Sequence, residues 1–130
     1  MARRRMIDPS IWDDESVGQL SDGAFRVFVA CISNADDAGK LEVGCKRIRA
    51  IAFAYREDVT THDVEGYMAE IETAIRSFCR YSVDGREYVK LLNWERYQTI
   101  NRPSPSKLPD PPNGYSMNTH ASLHEDSLLK

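Results

Sequence analysis

Between Thr60 and Phe78 the apolar residues Val64, Tyr67, Met68, Ile71, Ala74, Ile75 and Phe78 recur at steps of three and four, which places them on one face of a helix. Thr60 suits the N-cap of that helix, with Asp63 at N3 and with Val59 and Val64 in the two positions of a hydrophobic staple. After Phe78 the period drops to two: Cys79, Tyr81 and Val83 alternate with Arg80 and Ser82, and after Asp84-Gly85 come Tyr88 and either Val89 or Leu91. Asp-Gly tolerates the positive φ angles of a tight hairpin turn, so the pattern predicts a helix leading into a β-hairpin. That sequence of elements forms the second half of a winged helix.

Upstream, Leu20, Ser21 and Phe25 repeat the staple and cap logic and start a first helix near Asp22, with Phe25, Phe28, Val29 and Ile32 on its apolar face and Val27 and Cys31 widening it. The turn-rich run Asn34 to Gly39 ends it. Leu41 to Val43 can form a short strand beside the hairpin, and Cys45, Ile48, Ile51 and Ala52 mark a second, shorter helix whose other face is Lys46, Arg47 and Arg49. Past the hairpin, Asn93 can cap a short helix carrying Trp94, Tyr97 and Ile100. The expected fold is therefore α+β, a winged helix-turn-helix over residues 1–101 with three main helices, a β-hairpin wing and a short C-terminal helix. Residues 102–130 form a proline-rich segment and tail: Pro103, Pro105, Pro109, Pro111 and Pro112 favour an extended, polyproline-like path, and the polar remainder from Asn113 is expected to be disordered apart from docking of Leu128 and Leu129.

A chain of 130 residues, 42% of them hydrophobic, suffices for one small core. No apolar run approaches the roughly 20 residues of a membrane span, and Met1-Ala2-Arg3-Arg4-Arg5 leads to Asp8-Pro9 and not to a secretory hydrophobic stretch. Cys31, Cys45 and Cys79 are odd in number and unclustered, which fits a reducing cytosol better than a disulfide framework or a metal site. The net charge of −3 argues against a general polyanion binder, but charge is segregated by element. Residues 40–56 carry Lys40, Lys46, Arg47, Arg49 and Arg56 against Glu42 alone, and residues 80–107 also carry a cationic excess. The third helix holds Asp63, Glu65, Glu70 and Glu72 against Arg76.

Several local sequences together resemble the N-terminal winged-helix domain of bacteriophage replication-initiation proteins, the replisome organisers related to DnaD-type primosomal proteins. They are Arg5-Met6-Ile7-Asp8-Pro9 with Ile11-Trp12, Ala35-Asp36-Asp37-Ala38-Gly39-Lys40-Leu41-Glu42, Arg80-Tyr81-Ser82-Val83-Asp84-Gly85-Arg86-Glu87-Tyr88, Asn93-Trp94, and Arg102-Pro103-Ser104-Pro105-Ser106-Lys107-Leu108-Pro109, in order over residues 1–112. The chain differs from that pattern at Ser77-Phe78-Cys79, where a glycine-containing exit from the third helix is expected. The resemblance implies a DNA-associated role at phage origins, with a C-terminal region that recruits a replicative helicase or its loader.

In a helix-turn-helix the second helix of the motif enters the major groove. Here that helix is acidic and is expected to present a solvated face or a protein interface. The DNA-binding candidates are instead Lys46, Arg47 and Arg49 on the second helix, Arg86 and Lys90 on the wing, a flexible arm of Arg3, Arg4 and Arg5, and Arg102 and Lys107 in the proline-rich segment, because guanidinium and ammonium groups pair with phosphate oxygens and guanine edges. The expected partner is double-stranded DNA. Tyr55, Trp12, Trp94 and Tyr97 can stack on bases, although core packing suits Trp94 and Tyr97 better. Asp13-Asp14-Glu15 and Asp36-Asp37 lack the ligand spacing of a calcium loop, His120 and His124 come without cysteines, and no constellation for covalent catalysis stands out. No enzyme activity, metal or cofactor is expected. Two other functions fit the same scaffold: a homo-oligomerisation or protein-interaction module of a replication complex, and a winged-helix transcriptional regulator.

Overall fold

The computed structural model describes residues 3–112. The expectations for the tail from Asn113, including His120, His124, Leu128 and Leu129, lie outside the described residues.

Short acidic caps open the chain. Asp8 accepts from the Ser10 N–H (2.9 Å) to start a 3-10 turn at Pro9–Trp12, and Asp14 accepts from the Val17 N–H (3.0 Å) to start α1, Glu15–Gly18. Sequence periodicity could not find these two single-turn elements. The first expected helix is α2, Asp22–Asn34, capped by Ser21, whose hydroxyl accepts from the Ala24 N–H (3.2 Å). Then follow β1, Lys40–Val43; α3, Cys45–Ala52; α4, Thr61–Ala74; β2, Phe78–Val83; β3, Arg86–Leu91; and α5, Trp94–Tyr97. Among the described residues the result is an α+β fold with five α-helices and a three-stranded antiparallel sheet in the order β1-β3-β2. The expected cap of α4 is present as a full capping box: Thr60 and Asp63 exchange side-chain-to-backbone bonds of 3.0 and 2.9 Å.

α4 ends at Ala74, one turn short of the apolar pattern. Ile75 is already extended, and the Ser77 carbonyl accepts from Leu92 N–H (2.8 Å), which draws the chain into the sheet with Phe78 opposite Leu91. Ile75 and Phe78 are still buried, since strand and helix end deliver them to the same core. Strand pairing here overrides a continued helical period.

The period-two residues also distribute differently from the simplest reading. Phe78, Val89 and Leu91, with Leu41 and Val43 of β1, face the helices and complete a core built on Phe28, Val27, Ile48, Val64, Met68 and Ile71. Cys79, Tyr81 and Tyr88 point to the opposite face, where with Leu92 they form a second apolar cluster. Both faces of the hairpin are covered, so Tyr88 goes one way and Val89 and Leu91 the other. At the turn, Asp84 (φ 52°) and Gly85 (φ 79°) both adopt positive φ between the paired Val83 and Arg86, as a two-residue hairpin turn requires.

Asn93 occupies the N-cap of α5 in the left-handed region (φ 62°) with no capping bond from its side chain; its carbonyl accepts from Arg96 N–H (3.0 Å). Trp94 is buried, and Tyr97 and Ile100 pack half-buried on the core, although Ile100 lies past the helix end. The proline-rich segment has neither helix nor strand, as expected, but it does not leave the domain. Residues 103–112 lie as a strap across the α2–β1 turn and the second face of the sheet.

Candidate nucleic-acid interface

Lys46 and Arg47 are exposed on α3, opposite the buried Ile48 and Ala52, and neither forms an ion pair among the described residues. Arg47 and Ile51 line a groove shared with Asp36, Lys40, Glu42 and Leu108. Arg49, two residues on, turns inward. Its Nε donates to the Val59 carbonyl (2.6 Å) and an Nη to the Arg56 carbonyl (3.1 Å), so it braces the connection between α3 and α4. In that connection Tyr55 is 98% exposed.

The hairpin cations are more engaged than their sequence suggests. Arg86 is 68% exposed and lies 3.7 Å from Glu42, while Lys90, on the same face, is largely covered and lies 3.7 Å from Asp110 of the strap. Lys40, in the neighbouring strand, is buried and sits 2.7 Å from the same carboxylate.

The N-terminal arginines do not form a flexible arm. Arg5, whose side chain is 3% exposed, lies over the Trp94 ring (5.3 Å) and donates an Nη to the Ala35 carbonyl (2.8 Å) and to Asp37 (3.0 Å). Its Nε is buried without a hydrogen-bond partner among the described residues. Arg3 reaches the same carboxylate at 3.4 Å, and the Gln98 amide clasps the Met6 backbone through two bonds of 2.9 and 2.8 Å. Arg5 is thereby removed from the surface, while Arg4 stays exposed with no ion pair among the described residues. Arg102, at φ 54°, and Lys107 are likewise exposed, and Lys107 shares a cleft with Arg3, Asp36 and Asp37.

Asp37 is the anchor of this corner. The Ser104 N–H (2.9 Å), and then Arg5 and Arg3, hold its carboxyl below the usual carboxylate range against the opposing effect of burial. Asp36 accepts from the Ala38 and Lys40 N–H groups and from the Ser106 hydroxyl (2.5 Å). The Asp36-Asp37-Ala38-Gly39 run gave only the turn chemistry; its role in gathering both chain termini of the domain depends on contacts 30 to 70 residues away.

The acidic helix is also not the free solvated face that its sequence implies. Glu70 accepts from the Ser21 N–H (2.6 Å) and hydroxyl (2.8 Å), and so caps α2. Glu65 takes both Nη groups of Arg80 at 3.1 and 3.2 Å, Glu72 lies 3.5 Å from Arg80, and Glu87 of β3 lies 3.1 Å from it. The Arg80 guanidinium holds Glu65 below the usual carboxylate range.

Trp12 is exposed and packs on Phe25 at 5.5 Å between ring centroids. All three cysteines are unbridged; burial pushes the Cys31 thiol up to about 12, and burial followed by Glu65 pushes Cys45 up to about 11, so neither is an activated thiolate. Among the described residues no cluster of three or more His, Cys, Asp and Glu side chains could hold a metal ion, and no helix is long and apolar enough to cross a membrane. Comparison of the chain with family models, with curated proteins and with solved structures gave no match.

Proposed function

We propose that this chain is a non-catalytic winged-helix protein that binds double-stranded DNA and acts in phage or prophage replication initiation. The order α2-β1-α3-α4-β2-β3, with β1 pairing beside the β2–β3 hairpin, supports the winged-helix assignment, in which α3 and α4 form the helix-turn-helix and the hairpin the wing. The observation that carries the DNA reading is the pair Lys46 and Arg47, adjacent, exposed and without an intramolecular carboxylate among the described residues. Arg4, Arg102 and Lys107 add exposed charge, and Arg86 contributes from beside the hairpin turn. Arg49 and Arg5 serve the fold. Arg80 offsets part of the charge of Glu65 and Glu72, which lowers the repulsion that an acidic recognition helix would exert on phosphate. The role in initiation rests on the sequence resemblance and implies a helicase or loader as partner.

The test is binding of labelled double- and single-stranded DNA across a salt series. Affinity for duplex that is micromolar or tighter and falls log-linearly with salt supports the reading, whereas absence of binding at low salt removes it. Strong selectivity for one short operator would instead indicate a transcriptional regulator. Exposure of Trp12 against Phe25 favours self-association as a second reading, which light scattering without DNA would detect as a concentration-dependent oligomer.

A further inference from the structure

The second face of the sheet has the chemistry of a peptide-binding groove. The Tyr81 and Tyr88 rings, a directly opposed cross-strand pair, stack with centroids 5.6 Å apart, and Leu108 of the strap packs against this cluster. The Tyr81 hydroxyl donates to the Pro109 carbonyl (2.7 Å). Lys40, 7% exposed, donates to the Leu108 carbonyl (3.3 Å) and meets the Asp110 carboxylate at 2.7 Å, with Lys90 at 3.7 Å.

Around residues 108–110 the domain presents the Tyr81 hydroxyl and the Lys40 and Lys90 ammonium groups, and the strap answers with the Leu108 and Pro109 carbonyls and the Asp110 carboxylate. A prolyl segment has that character, since proline lacks an N–H and keeps its carbonyl. Proline also restricts the unbound peptide, so little conformational freedom is lost on docking. Two ammonium groups converge on one carboxylate that is itself 72% exposed, so the site favours an acidic ligand. The resident segment is joined to the domain through Arg102 at φ 54°, a backbone conformation that costs a side-chain-bearing residue and that undocking would relieve.

We propose that this face is a recognition site for extended proline-rich acidic peptides of the pattern apolar residue, proline, carboxylate, and that residues 108–110 are its resident, replaceable occupant. The partner is a segment of that chemistry supplied by another protein chain. Binding in trans then competes with a tethered copy whose effective concentration is of millimolar order.

The test uses a fluorescein-labelled decapeptide with the sequence of residues 103–112 and the full chain, with no DNA present. A double variant, Leu108→Ser with Asp110→Ser, weakens the resident; it is expected to bind the peptide at least tenfold more tightly than the unaltered chain. Adding Tyr81→Phe should weaken that binding about fivefold, and a peptide with lysine in place of its aspartate should not bind. A folded double variant that binds no better than the parent, or that binds both peptides equally, overturns the proposal. Should the double variant fail to fold, the unaltered protein is titrated with peptide to several millimolar and followed by backbone amide NMR. Displacement requires the Leu108 and Asp110 amides to move to their undocked positions as Tyr81 shifts; their staying in place above the effective concentration also overturns the proposal.

Discussion

The sharpest separation of DNA contact from structural support lies within four residues of α3. Replacing Lys46 and Arg47 together by alanine removes two exposed cations whose side chains bond to nothing else among the described residues, so the fold should be unaffected and stability should stay within about 0.5 kcal/mol of the parent. If both groups neutralise phosphates, the slope of log affinity against log salt should fall by roughly 1.8, and affinity at about 0.1 M salt should drop roughly 60-fold. Arg49→Ala makes the opposite prediction. It deletes two charge-assisted bonds to the Val59 and Arg56 carbonyls in a half-exposed setting, which should cost about 2 kcal/mol of stability and leave the salt slope unchanged. Anisotropy titrations of a labelled duplex over a salt series, paired with urea denaturation of each variant, read both quantities. A slope unchanged in the double variant would refute the assignment of α3 as a phosphate-contacting helix. A parent-like stability for Arg49→Ala with a reduced slope would refute the inward role of Arg49.

Two glycines should respond in opposite directions. Gly66 is exposed within α4, and a Cβ there meets nothing within 4 Å, so Gly66→Ala should stabilise the protein by about 0.5–1 kcal/mol in urea denaturation. Gly39 has φ 83° and a Cβ there would lie 2.8–3.0 Å from Trp94 atoms, so Gly39→Ala should cost about 2–4 kcal/mol. Acid should loosen the strap before the core. Lys40, followed by Lys90, holds Asp110 below its ordinary 3.8, and a carboxyl lowered in the folded state contributes stability above its unfolded value that is lost as pH falls through the folded one. Asp37 carries the same sign, its largest cause being the Ser104 N–H. Amide NMR between pH 5 and pH 2 should show Ser104 and Leu108 leaving their docked positions before the signals of Phe28 or Ile71 change.

What sequence could reveal followed from how local each signal is. The Thr60–Asp63 box, the Ser21 cap, the Asp84-Gly85 turn and the α4 apolar face are set by neighbours within one or two turns and were legible, whereas on α3 Ile48 and Ala52 are buried as expected but Ile51 is exposed. The end of α4 was not legible, because Ile75 and Phe78 satisfy a helical spacing equally well from a turn and a strand. Period-two alternation placed Cys79, Tyr81 and Val83 on one face but could not say that this face looks away from the helices, since that depends on what else covers the sheet. The same limit applied to the cations. Composition counts Arg5, Arg49 and Lys40 with Lys46 and Arg47, yet the first three have their charge matched or their donors taken by Asp37, backbone carbonyls and Asp110, all distant in sequence or masked by the turn geometry. Proline content suggested an extended path; the hydrogen bonds that fasten it were visible only with Tyr81, Lys40 and Asp37 in place.

Arg80 adds a polar tie between parts of the molecule that already share one core. It belongs to β2, yet its guanidinium grips Glu65 and Glu72 on α4 and Glu87 on β3. The hairpin and the acidic helix are therefore one mechanical unit, and tilting either against the other requires pulling a bidentate arginine off its carboxylates. A ligand spanning both would meet a caliper of fixed opening. Its spacing would be measured, not accommodated, so recognition there would discriminate by the width of what is presented and would gain little from a flexible partner adjusting the protein to itself.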